Sequence, residues 1–138
     1  MKFLTGLAIA AMAMLSLAGC VTTGLTTAIS VATGASISSG KAITVADGFR
    51  TIEDVATAYQ NGCVAAGSTT GACAYGDQAY QDATALETAR DNVIAFAKAH
   101  GDVPLGVGGD YALAMTALST LESVLNKAGV AYVAPATS

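Results

Sequence analysis

Asp77 to Ala99 reads DQAYQDATALETARDNVIAFAKA, and its apolar residues keep a helical period. Ala79, Ala83, Leu86, Val93, Phe96 and Ala97 fall on one face of a 3.6-residue turn. Glu87 and Asp91 face Arg90 and Lys98 at neighbouring turns. Lys98 and His100 close the segment, where positive charge suits the helix dipole, and Gly101 follows as a stop. This is the longest helix that the pattern predicts.

Two further helices flank it. Upstream, Val45, Phe49, Ile52, Val55 and Tyr59 form a second apolar stripe, with Arg50, Glu53, Asp54 and Gln60 off it. Thr44 is the expected cap, Asp47 a weak capping-box partner, and Asn61-Gly62 the expected end. Gly48 lies inside and weakens the first turn by up to about 1 kcal/mol relative to Ala. Downstream, Gly101 to Gly109 (GDVPLGVGG) excludes regular helix. Asp110 then caps a last helix carrying Leu113, Ala114, Ala117, Leu118, Leu121, Val124 and Leu125, stopped at Gly129. Ser36 to Gly40 reads as a turn and residues 130–138 as a frayed tail, although Val130 to Val133 can pack down. The expected fold is all-α: a small antiparallel bundle of three to four helices with one disulfide, preceded by a signal peptide. Its alanine-rich faces allow close helix approach around a thin core.

The N-terminus is of a different kind. Lys2 supplies a positive charge, and Phe3 to Leu17 form an uncharged apolar run too short to span a bilayer comfortably. Leu17-Ala18-Gly19-Cys20 follows, and it resembles the lipobox of bacterial lipoproteins at all four positions. That resemblance implies a diacylglyceryl group on the Cys20 thiol, cleavage before Cys20, and acylation of the new amino group with a chain such as palmitate. Several acyl chains anchor stably, since each buried CH2 contributes about 0.8 kcal/mol and one chain alone is marginal. Val21 stands where an Asp favours inner-membrane retention in enterobacterial lipoproteins, so the resemblance points to the periplasmic face of the outer membrane. The expected organisation is a signal peptide at 1–19, the lipidated Cys and a Thr/Ser/Gly-rich tether, with room for a short helix, at 20–43, a helical domain at 44–129, and a tail at 130–138.

With Cys20 assigned to lipid, Cys63 and Cys73 remain. An even pair in an exported chain predicts a structural disulfide, and the intervening VAAGSTTGA bends freely enough to close it. One distant His and no C-x-x-C argue against a zinc set or a redox motif.

Composition bounds the partners. The 138 residues contain 6 Lys+Arg and 10 Asp+Glu, a formal net charge of −4. That balance argues against nucleic acid as a partner, because phosphate neutralisation needs a basic face. At 53% hydrophobic the chain is no disordered acidic tract.

No catalytic or cofactor set emerges. His100 with Asp102 hints at part of a triad, but no G-x-S-x-G accompanies them, and a helix-end role is the plainer reading. Glu53-Asp54 are adjacent and so diverge on a helix, and Asp77 and Asp82 are five apart; both sets read as solvated faces. Gly106-Val107-Gly108-Gly109 resembles part of a phosphate loop, yet it lacks G-K-[ST] and precedes an Asp that repels phosphate. Tyr59, Tyr75, Tyr80 and Tyr111 read as core and loop packing with hydroxyls in water.

Ile29 to Gly129 also resembles a set of small uncharacterised proteins from alphaproteobacteria and their phages. The shared features are I-S-x-x-T-G (Ile29 to Gly34), a central Cys pair and the V-P-L element at Val103-Pro104-Leu105. That resemblance implies organisation and no mechanism. The expectation is therefore a non-enzymatic, lipid-anchored envelope module without metal or cofactor. Its partners are the membrane, through the anchor, and an envelope protein; its oligomeric state is open. A phage-derived envelope factor, blocking a receptor or assisting lysis, and a carrier of small apolar ligands are the alternatives.

Overall fold

The computed structural model describes residues 34–138. The expected leader, the lipobox-like Leu17 to Cys20 and the stretch to Thr33 lie outside the described residues. The fold is all-α apart from one tiny antiparallel strand pair. In chain order the elements are β1 (Ser36–Ile37), α1 (Ser39–Gly48), α2 (Arg50–Ala65), a 3-10 turn (Gly71–Cys73), α3 (Gly76–His100), β2 (Val103–Pro104) and α4 (Asp110–Ala128).

The four helices make three arms. α1 and α2 are separated only by Phe49, which keeps helical angles, so they form one arm with a break. The cause is local: Gly48 is a poor helix former, and the N–H of Phe49 bonds to the Ala46 carbonyl in a tightened turn. Phe49 itself is buried and pins the break to the core. α3 is the central helix, with α1, α2 and α4 all packed against it. The largest fully buried side chains are Phe49, Ile52, Leu86, Leu121, Leu125, Val93 and Val103. Ala42, Ala46, Ala56, Ala79, Ala83, Ala97 and Ala114 fill the rest of the core and let backbones come close.

The sequence boundaries need correction at the first arm. Helix begins at Ser39, not 44, with Ser38 in the cap position. Thr44 lies inside α1 and returns its hydroxyl to the Gly40 carbonyl at 2.9 Å. Asn61-Gly62 does not end the arm; α2 runs through it to Ala65. The real stop is Gly67, at φ +61°. Its N–H bonds to Val64 O and that of Ser68 to Cys63 O, the paired closure of a left-handed cap. Gly129, at φ +69°, ends α4 in the same way, with Val130 N–H on Leu125 O.

The expected turn at Ser36–Gly40 is instead β1 followed by the start of α1. Ser36 pairs with Pro104 and Ile37 with Val103, and Leu105 N–H adds a bond to Ala35 O. The incoming chain is thus tied to the α3–α4 connection. Asp110 is the first helical residue of α4, and Gly109 takes the cap position. Leu113 departs from the expected core face and is 53% exposed, because the buried stripe runs through Tyr111, Ala114, Leu118, Leu121 and Leu125.

The C-terminal residues are not frayed. Val130 and Tyr132 pack against the core. The Tyr111 hydroxyl donates to Thr137 O at 3.0 Å, and Pro135 lies beside Gly48. Tyr111 sits in the first turn of α4, so the tail runs back along that whole helix. Geometry permits it: α4 is about 28 Å long, and an extended chain from Val130 to Thr137 covers nearly the same distance, about 26 Å.

Candidate functional site

Two places concentrate chemistry in the described residues: the disulfide end of the bundle and a buried ion pair between α2 and α3.

The disulfide end is built from the last turn of α2 and the first turn of α3. Cys63 and Cys73 are joined, with Cα atoms 5.5 Å apart. Cys63 is buried and Cys73 half-buried. Further bonds hold the same loop. The Tyr59 hydroxyl donates to Ala72 O at 2.6 Å, and the Gln60 side-chain amide donates to Asp77 Oδ1. Gly76 gives the Gln60 side chain its room, since a Cβ at position 76 would collide with Gln60 Oε1. Around this staple lies an open cleft of about 300 Å3, lined by Gln60, Cys63, Val64, Thr69, Cys73 and Asp77. Its walls offer hydroxyls, one amide and one carboxylate, with no nucleophile paired to a base.

The ion pair joins two helices through side chains that lie inside the bundle. Glu53, read as solvated, is 8% exposed, and Arg90 is 3% exposed. Arg90 Nη1 donates to Glu53 Oε2 across the α2–α3 contact. Its Nε and Nη2 donate to Asp91 Oδ1 at 3.0 and 2.9 Å, and Glu87 Oε1 lies 3.7 Å from Nη2. Glu53 Oε1 is buried with no hydrogen-bond partner among the described residues. Burial raises the Glu53 carboxyl from 4.5 to about 7, against the opposing pull of Arg90. The sequence did carry a signal for Arg90: it falls at the step between Leu86 and Val93 on the inward stripe. Around Glu53 the expected stripe residues Val55 and Tyr59 are only half-buried, and the buried line runs through Ile52, Ala56 and Cys63.

The other candidate residues do not converge. His100 is exposed on the last turn of α3, its ring stacked on Phe96 with centroids 4.5 Å apart. It forms no ion pair with Asp102 among the described residues. Asp77 is exposed beside Gln60, whereas Asp82 is half-buried with Oδ2 unpartnered among the described residues, and burial raises its pKa. Asp54 is exposed and separate from the buried Glu53. Gly106 to Gly109 form the loop between the short strand β2 and α4, and the Gly109 N–H closes it on Gly106 O. Tyr111 is buried with its hydroxyl on the tail, not in water. Among the described residues no three His, Cys, Asp or Glu side chains gather as a metal set, and no helix is long and apolar enough to cross a membrane. A second, shallow and open depression on α4 is lined by Ser119, Glu122, Ser123, Asn126 and Lys127.

No protein family, curated protein or solved structure matches the chain.

Proposed function

We propose that this chain is a lipid-anchored bacterial envelope protein, held at the periplasmic face of the outer membrane through acylated Cys20, whose helical body serves as a structural or protein-interaction module and not as an enzyme. One observation carries the reading: Lys2, an uncharged apolar run and Leu17-Ala18-Gly19-Cys20 follow one another in the order that lipoprotein export requires. The Cys63–Cys73 bond supports it, because such bonds persist in oxidising compartments.

The test is the intact mass of the protein from native membranes, with and without reductant. The expected result is an acylated chain beginning at Cys20 that gains two hydrogens on reduction. A chain that keeps its leader, or is cut elsewhere without lipid, would remove the anchor from the account.

A further inference from the structure

The geometry points to the α3–α4 connection, Val103 to Gly109 with the first turn of α4, as a surface that rests on lipid while the disulfide end stands away from it. This inference rests on the anchor proposed above. It starts from where the described chain enters the fold. Gly34 leads straight into β1, and β1 pairs with β2 beside this connection. Whatever Cys20 is attached to is therefore joined to the body at this end. The Cys63–Cys73 staple sits at the opposite end of α3, a helix about 37 Å long.

The chemistry of this end suits a lipid interface. Val103 to Gly109 carry no charged side chain, and neither do residues 21–40 of the incoming chain. Val107 is 86% exposed at the loop, the most exposed large hydrophobic side chain described, and Leu113 is 53% exposed one turn into α4. Leu105 in the same loop is half-buried and packs on the core, so the loop is held rather than loose. Asp102 and Asp110 flank the apolar segment, so attraction to anionic headgroups does not drive the contact. Two aliphatic side chains bind a bilayer too weakly to hold a free protein. A tether changes that, because linking sets an effective local concentration in the millimolar range and makes a weak contact count. The surface thus works only on the anchored chain, and it leaves the cleft around Cys63–Cys73 pointing toward other envelope components.

The experiment uses the full acylated chain, reconstituted into phosphatidylcholine vesicles and recovered by flotation. An environment-sensitive fluorophore is placed through Val107→Cys in one sample and through Tyr80→Cys, near the disulfide end, in another. The expected result is a blue-shifted emission at 107 on vesicle-bound chains and a water-like emission at 80. Adding Leu113→Asp to the Val107→Cys chain removes the shift, while helical circular dichroism and flotation are kept. Water-like emission at 107 on chains that float, or an equal shift at 80, overturns the orientation and leaves the anchor standing. A chain that carries no acyl group and does not float overturns the anchor and this surface together.

Discussion

Replacing Arg90 with Met separates the energetics of the buried ion pair from simple packing. Arg90 is the sole hydrogen-bond donor to Glu53 Oε2 among the described residues, and Glu53 Oε1 has no partner there. After Arg90→Met the carboxylate at position 53 is buried and wholly unpaired. Breaking a buried pair from one side costs about 3–5 kcal/mol. That penalty depends on pH, because the carboxyl can take a proton. In the native protein Glu53 is raised from 4.5 to about 7. The folded state thus binds a proton that the unfolded state has released. The stability from this group is full below 4.5 and is lost as pH rises through about 7, amounting to about 3 kcal/mol at most. Arg90 pulls this carboxyl down, so its removal raises the value further and widens the window.

Urea unfolding followed by far-ultraviolet circular dichroism, at pH 5 and pH 8, reads both effects. The expected cost of Arg90→Met is about 3–5 kcal/mol at pH 8 and clearly smaller at pH 5, where Glu53 becomes neutral. The double variant Glu53→Leu/Arg90→Met is expected within about 1 kcal/mol of the native chain at pH 8, or above it, since an apolar pair can fill the same space. A cost for the single variant below about 1 kcal/mol at pH 8, or one that does not change with pH, refutes the argument. So does a double variant as unstable as the single one, because the loss would then be one of shape.

Three further outcomes are expected. Cys63→Ser/Cys73→Ser should lower stability by about 2–3 kcal/mol, the chain-entropy value for a ten-residue closure, and leave helix content nearly unchanged because Tyr59 and Gln60 still hold the loop; urea midpoints and circular dichroism check this. Tyr111→Phe removes the donor to Thr137 O, costs about 1 kcal/mol, and should speed carboxypeptidase trimming of the tail, read by mass spectrometry. Leu121→Ala, at a fully buried site, should cost about 2–5 kcal/mol by urea unfolding, against well under 1 kcal/mol for Leu113→Ala on the exposed side of the same helix.

The helical class and the disulfide were legible because each rests on a local signal. The stripe through Ala79, Ala83, Leu86, Val93 and Ala97 needs only the helical period, and all five are buried. The Cys pair needs only its even count, once Cys20 is set aside, and a loop that bends freely. Boundaries were less legible because several residues serve two conformations. Thr44 can cap a helix or back-bond within one, and it does the latter. Gly62 reads as the stop, yet it is Gly67 that takes positive φ, and the signal at Gly62 could not show that the helix still had Cys63 to deliver to the core and the disulfide.

The tail and the ion pair share a different reason for escaping notice. Each depends on partners brought together by tertiary packing. Tyr111 and Thr137 are 26 residues apart, and Glu53 and Arg90 are 37 apart, so no window along the chain contains both members. The buried alanines explain why such long-range polar contacts arise in this fold. Alanine-rich faces bring α2 and α3 close, and a long Arg side chain on the inward stripe then has no route to water. Asp91 on the same helix accepts from Nε and Nη2, and the facing helix supplies the acceptor for Nη1 through Glu53. An inward-facing charge on an alanine-rich helix therefore predicts an opposite charge on the neighbouring arm. Glu53 was the residue to suspect, because it adjoins Ile52 on the face of α2 that meets α3.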